Sequence, residues 1–291
     1  MPSGAVLRVA FRELTTWERS PRQPEPGLVM DDPNQVADYV RAGREGGVMA
    51  PVYLFHCANI CEIIRPGDRV LDLACGPANQ LAMVARLNPD TQFVGADLSG
   101  PMLEQARALI NQQGLTNISL HHADITDLSD FADASFDAVM STMALHHLPD
   151  THALDRAFAE AARVLKPEGG VYLVDFGHLK SERSIKYFAL QYQNRQPPLF
   201  AVDYLNSLRA AFSVGNFRQA SSPLLSRAKL YTTFLVPFMV AIKSPPRRGT
   251  DTSTIVKNLT KLKSTLPAWH EVDFADLRSF FRLGGLPCRY L

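Results

Sequence analysis

The chain has 291 residues, too many for a minimal domain and enough for one α/β core with additions. With 46% apolar and 20% charged residues it is too rich in core-forming side chains to be disordered. A net charge of +1 excludes a global field that would gather nucleic acid, an anionic membrane or an acidic partner, and leaves only local patches to do so.

Residues 1–33 contain five prolines and scattered charges, the pattern of a loosely structured arm. The opening MPSGAVLRVAFREL has no continuous apolar stretch of the signal-peptide kind, and the run Phe234 to Ile242 is short and broken by Pro237. A cytoplasmic chain without a membrane or nucleic-acid partner is expected. From Asn34 to Ile64 two helices are predicted, QVADYVRAG and the more apolar APVYLFHCANICEII, separated at Gly46 and Gly47. Cys57 and Cys61 are four apart on the second. Without a CxxC or HxxxH partner they read as buried helical cysteines, and four cysteines in all are too few for a disulfide scaffold.

From residue 66 apolar runs alternate with helical segments, which predicts a parallel sheet covered on both faces. The strands fall at 69–74, 92–97, 118–123, 136–141 and 170–176, with helices such as LAMVARL and PMLEQARALINQQG between them. Past Phe176 the rhythm loosens into an insertion, 177–202, rich in Tyr, Phe, Arg and Gln; insertions at a strand's carboxyl end usually carry specificity. KLYTTFLVPFMVAIK (229–243) reads as the closing strand, SPPRRGTDTS (244–253) as a linker, and the rest as a helical tail. The division predicted is an arm and helical lid (1–65), a core domain (66–243) and a C-terminal extension (244–291).

VLDLACGPANQLAMVA carries most of the functional information: an apolar strand ending at Asp72, a turn of small residues, then a helix. Small residues let a ligand approach the backbone, and the helix start offers unpaired N–H groups. The turn is not GxGxxG, which disfavours a dinucleotide. Its spacing, D-x-A-x-G-x-A over Asp72, Ala74, Gly76 and Ala78, resembles motif I of the class I S-adenosylmethionine (SAM)-dependent methyltransferases, with alanine at two glycine positions. Asp97, ending FVGADLS, stands where an acidic side chain accepts two hydrogen bonds from vicinal ribose hydroxyls; a helix cap before PMLEQA is the alternative role. HHADITDL puts Asp124 at the third strand end, and FDAVMSTMALHHLPD and RVLKPEGGVYLVDF look like the family's fourth and fifth strand segments.

The resemblance covers about residues 66 to 176 and is nearest to small-molecule methyltransferases of the quinone-biosynthesis type. It implies a Rossmann-like, mostly parallel seven-stranded sheet with helices on both faces, N-terminal helices and a helical C-terminal extension. It implies SAM as cofactor, with Asp72, Ala74, Gly76 and Ala78 at the methionine end and Asp97 on the ribose. Leu98 and Met102 would flank the adenine, Asp124 and Ile125 read it, Met143 and His147 face the sulfonium, and Tyr53 close over the site.

A sulfonium is an activated methyl donor, so alignment and water exclusion do most of the catalysis. For a hydroxyl acceptor, His146 or His147 is the candidate base, HHLPD being equally readable as a capped turn with structural imidazoles. His121 and His122 read as packing residues; His178, Tyr187 and Tyr192 as acceptor contacts. No [DN]PP[YFW] motif occurs, against adenine or glutamine amide nitrogen as acceptor. No DN pair follows the fourth or fifth strand, so metal-independent transfer to a small, planar or apolar acceptor is expected. Lys243, Arg247, Arg248, Lys257, Lys261 and Lys263 read as a solvated helix face. Phe274, Leu277, Phe280 and Phe281 form one helical stripe that covers either this chain's own site or a second subunit in a homodimer. Transfer of another group, a SAM-assisted reaction and a non-catalytic SAM-binding scaffold are the alternatives.

Overall fold

The computed structural model describes residues 4–17, 19–27, 29–44, 46–249 and 252–291. Three helices, α1 (Gly4–Thr15), α2 (Pro33–Ala42) and α3 (Ala50–Ile63), precede the sheet. Then follow β1 (Arg69–Leu73), α4 (Asn79–Leu87), β2 (Gln92–Asp97), α5 (Gly100–Gln113), β3 (Ile118–His122) and β4 (Phe136–Thr142). A 3-10 turn at Leu145–His147 leads to α6 (Thr151–Val164), β5 (Leu165–Phe176), α7 (Glu182–Leu190), α8 (Pro198–Ala210) and α9 (Val214–Ala220). The chain ends with β6 (Lys229–Thr232), β7 (Met239–Lys243), α10 (Ser253–Ser264) and α11 (Ala268–Leu283).

The seven strands lie in the order β3-β2-β1-β4-β5-β7-β6. The four pairings from β3 to β5 are parallel where the strands alternate with helices, and β7 enters antiparallel between β5 and β6. Chain order reverses beside β1 and β4, so their carboxyl ends open a crevice, the place where open α/β sheets bind ligands. Local signals place the helices around it. Asp32 accepts from Asn34 N (3.0 Å) and Gln35 N (2.9 Å) at the head of α2, Ser99 from Met102 N (3.2 Å) at α5, and Asp150 from Ala153 N (2.8 Å) at α6. One apolar layer packs α3, α4, α10 and α11 against the sheet, and a second packs α6 and α9 against its other face. Cys57 and Cys61 are fully buried in the first layer. Among the described residues no helix is long and apolar enough to cross a membrane.

Several expectations change. The arm is not loose throughout, because its prolines after Pro2 begin only at Pro21, leaving GAVLRVAFRELT free to form α1. The single closing strand is a hairpin: Pro237 interrupts it and Leu235 takes φ 64°, while the Thr233 hydroxyl donates to Val236 O (2.7 Å) and accepts from Met239 N (3.0 Å) across the turn. His121 and His122 sit exposed on the edge strand β3, His121 against the ring of Phe131 and His122 Nε2 on Leu98 O at 2.9 Å. Three of the six clustered cations do not form a solvated face. Lys243, 4% exposed, donates to Asn59 (2.8 Å) and Glu62 (2.6 Å), Arg247 to Ile63 O and Asp68, and Arg248 to Ile64 O and Asn88, so they fasten the end of α3. The stripe on α11 packs on its own chain: the rings of Phe281 and Phe55 stack at 5.2 Å, and Phe274 meets Phe55 edge-on.

Candidate active site

The turn after β1 explains the small residues of the motif. Ala74 (φ 55°), Gly76 (φ 53°) and Ala78 (φ 61°) are all left-handed, the region where a side chain costs about 1–2 kcal/mol and glycine costs nothing. A β-carbon on Gly76 would meet nothing, so the space above the turn is open, whereas one on Gly95 in β2 would lie 2.8 Å from Cys75 Sγ. The turn and β2 are thus in close contact below an open cradle.

Asp97 at the end of β2 binds that cradle. Its Oδ2 accepts from Gly76 N at 2.7 Å and its Oδ1 from Ser99 N at 2.8 Å. The cap of α5 is Ser99, so the cap role considered for Asp97 belongs to its neighbour. A carboxylate has about four acceptor positions, and two remain for a ligand. Burial raises the pKa of Asp97 from its ordinary value, against the backbone N–H groups of Ser99 and Gly76. Asp72 is pushed well up by its burial and by Asp97.

One cavity at the carboxyl ends of β1, β2 and β4 gathers Tyr53, Asp72, Ala74, Gly76, Asp97, Leu98, Met102, Asp124, Ile125, Met143 and His147. Ala78 does not line it; fully buried at the start of α4, it closes the turn from behind. Asp124 braces its own loop, accepting from Thr126 N at 2.8 Å. Residues missed in the sequence also line the cavity, among them Tyr39, Gln80, Arg156 and, from the arm, Val29 and Met30. The arm segment is held there by Ser99, whose hydroxyl donates to Met30 O (2.8 Å) and lies 2.9 Å from Asp31. No spacing rule connects an arm to a strand end some seventy residues on; the one usable signal was the helix start in MDDP.

The two histidines part company. His146 is 2% exposed, with Nδ1 on Asp175 Oδ1 at 2.7 Å and its backbone N–H on Asp175 Oδ2 at 2.9 Å. Burial, the largest single influence, opposes its charge, but the carboxylates of Asp175, Glu25 and Asp203 together raise its pKa. His147 faces the cavity and is held well below the ordinary histidine value, by burial and then by His146. Arg22, set on Ala210 O, Pro149 O, Leu148 O and His146 O, fixes the turn that carries both. Glu25 joins them, so that Glu25, His146 and His147 bring one ligand-type atom each to within 4.8 Å, a donor set where none was expected.

Met143, itself left-handed at φ 53°, also walls a second cavity. This chamber is faced by Phe176, Tyr187, Phe188, Tyr192, Phe200, Tyr204, Phe238 and Phe280, supplied by β5, α7 and the turn after it, α8, the hairpin and α11. The rings of Phe188 and Phe238 stack at 4.0 Å, and Tyr192 donates to Asp273. The expected contacts Tyr187 and Tyr192 are in its wall. His178 is not; its Nε2 sits 2.6 Å from Ser20 O and anchors the arm.

Residues 70–169 match the family described as a methyltransferase domain. The 27-O-demethylrifamycin SV methyltransferase of Amycolatopsis mediterranei (strain S699) is 35% identical over 39% of this chain and 40% of its own length. The ubiquinone/menaquinone biosynthesis C-methyltransferase UbiE of Teredinibacter turnerae is 38% identical over 39% and 45%. The chain therefore spans under half the length of these relatives. Among solved structures, the plantazolicin methyltransferase BpumL in complex with a monoazolic desmethylPZN analog and SAH superimposes with a TM-score of 0.56 at 15% identity, over 81% of this chain and 87% of that one. A SAM dependent methyltransferase from Aquifex aeolicus gives 0.50 at 16% identity, over 74% and 98%. At such identities the likeness is one of fold. Residues 70–169 carry a methyltransferase domain, and the sheet around them has the class I SAM-dependent methyltransferase fold.

Proposed function

We propose that this chain binds SAM in the cavity over Gly76 and Asp97 and transfers its methyl group to a small, largely apolar acceptor in the aromatic chamber. The observation that carries the reading is the shared wall: Met143 borders both cavities, so a donor in one and an acceptor in the other meet across a single side chain. The residues present suit the cofactor. Asp97 keeps acceptor positions for ribose hydroxyls, Leu98, Met102 and Ile125 offer apolar surface for a purine, and the open cradle at Gly76 admits the amino-acid end. When bound, SAM supplies a methyl carbon on a sulfonium that an acceptor lone pair attacks in line as the carbon–sulfur bond breaks.

The protein's own work is alignment and exclusion of water. The aromatic walls hold an apolar acceptor, Tyr53 of α3 borders the cofactor cavity, and the arm lies over it at Val29 and Met30. For a hydroxyl acceptor, His147 takes the proton: its depressed pKa keeps it neutral at ordinary pH, and His146, fixed on Asp175, holds the turn. The boundaries 1–65, 66–243 and 244–291 then separate a cover, a cofactor domain and an extension, all three of which line the chamber.

A thermal-shift titration with SAM, S-adenosylhomocysteine and NAD tests the first half, since a ligand of the native state alone raises stability as RT ln(1 + [L]/Kd). Stabilisation by the first two and not by NAD is expected; no shift from either sinks the proposal. An S-adenosylhomocysteine release screen over apolar and aromatic acceptors tests the second. Product mass distinguishes methyl transfer from transfer of another group.

A further inference from the structure

We propose that the outer side of α1 seats on an anionic phospholipid surface. The inference rests on α1 itself and not on the reading of the cofactor site. α1 is apolar on two sides. Inward, Val9 and Ala10 are buried, Val6 reaches the chamber wall, and Glu13 is 4% exposed. The Glu13 carboxylate is spent on the backbone N–H groups of Lys180 (2.7 Å) and Ser181 (3.1 Å), which ties α1 to the start of α7. Outward, Leu7, Phe11 and Leu14 stand at i, i+4 and i+7, one stripe along the helix, and are 51%, 70% and 66% exposed. Trp17, just past the helix, is 98% exposed. Apolar residues exposed singly are ordinary; a stripe ending in a bare indole is not.

Charge selects the occupant. Arg8 and Arg12 lie one turn apart beside the stripe and Arg19 follows, while Glu13 faces inward, so that Glu18 is the one acidic residue left in the segment to oppose three arginines. An apolar stripe flanked by guanidinium groups and closed by tryptophan complements acyl chains beneath anionic headgroups. The near-balanced net charge of the whole chain does not bear on this, because such attraction falls off within a Debye length and is local. The position serves the chamber: Val272, 60% exposed on α11, shares its wall with Val6, so a seated α1 brings the chamber rim to the layer where apolar compounds concentrate.

Sedimentation of the full chain with vesicles of phosphatidylcholine, with and without one third phosphatidylglycerol, tests this. Binding to the mixed vesicles alone, weakened by salt and accompanied by a blue shift of emission that Trp17→Phe removes, is expected. The pair Phe11→Glu and Leu14→Glu should abolish binding, and the pair Arg8→Gln and Arg12→Gln should weaken it about thirtyfold. Arg8, Phe11 and Leu14 are exposed, and Arg12 is half-buried with its side chain in no hydrogen bond among the described residues, so unfolding transitions should stay nearly unchanged. Equal pelleting with and without vesicles overturns the proposal, as does a glutamate pair that binds like the parent. A dimer that the glutamate pair dissociates, in a protein that ignores vesicles, gives the face to a second copy and overturns it too.

Discussion

The cofactor cavity and the aromatic chamber share Met143 but are built in opposite ways. The first has its floor on the carboxyl ends of consecutive parallel strands, supplied by a run of about fifty residues from Asp72 to Ile125, and the arm, α2, α3 and the segment after β4 close it. The second takes walls from α1, α3, β5, α7, α8, the hairpin and α11, segments spread over nearly the whole chain. Strand ends are held by ladder hydrogen bonds whatever the side chains do, while the chamber keeps its shape only as long as its helices stay packed. The two should respond differently to damage.

The strongest way to break that comparison is Phe281→Ala. Phe281 is fully buried and stacked on Phe55, joining α11 to α3. Removing a core phenyl costs about 3–5 kcal/mol, and denaturant titration should register that loss. A loss below about 1 kcal/mol would mean that α11 is loosely docked and the chamber is no fixed part of the fold. Next in size, Asp97→Ala acts on the other side. It removes the ribose acceptor and the anchor of Gly76 and Ser99, and SAM affinity by calorimetry should fall about a hundredfold or more. Retained affinity would assign Asp97 to holding the turn alone. His147→Ala should leave SAM affinity within a few-fold and lower turnover of a hydroxyl acceptor about a hundredfold, whereas an unchanged turnover removes the base role.

The same contrast governs what could be read from the sequence. The strands, their parallel order and the cavity residues from Asp72 to Ile125 were legible because each obeys a local rule: a buried apolar run, a left-handed turn that tolerates only small residues, a polar group at a strand end. Only Ala78 moved, from the lining to the packing behind it. The covering arm was not legible, since Val29 and Met30 reach the cavity through Ser99, a contact that exists only after folding. The Asp175–His146 pair was half legible: His146 stood out as a candidate base, but Asp175 did not, because their pairing comes from β4 lying beside β5. Lys243, Arg247 and Arg248 misled because a basic run near a polar linker usually faces water; here Glu62 and the carbonyls of Ile63 and Ile64 at the end of α3 draw the cations inward.

Acid separates the regions again. His56, on α3 between the sheet and α11, has its pKa lowered to about 3 by complete burial, against about 6.5 in an unfolded chain. A depressed histidine contributes stability that is fully present above the unfolded value and is lost as pH falls from there toward 3. His147 and His178, also lowered, add to the fall. Stability should decline below about pH 6.5 with a slope approaching 1.4 kcal/mol per pH unit for each such group. His56→Gln should flatten that slope in proportion; an unchanged slope would place the acid sensitivity outside the α3 layer.

The smallest effect concerns the cradle itself. Ala74 holds φ 55° under the cavity, where an alanine costs about 1–2 kcal/mol and a glycine does not. Glycine also frees the unfolded chain, which returns about 0.5–1 kcal/mol to the unfolded side. The difference leaves Ala74→Gly more stable by about half a kcal/mol, a rise of about 1–2 °C in melting temperature. SAM affinity should hold or tighten slightly, since one methyl group leaves the cavity wall. A melting temperature that falls would show that the Ala74 methyl, which packs on the core beneath β1, contributes more by burial than its backbone costs in strain, and that the turn is shaped by packing and not by the ligand.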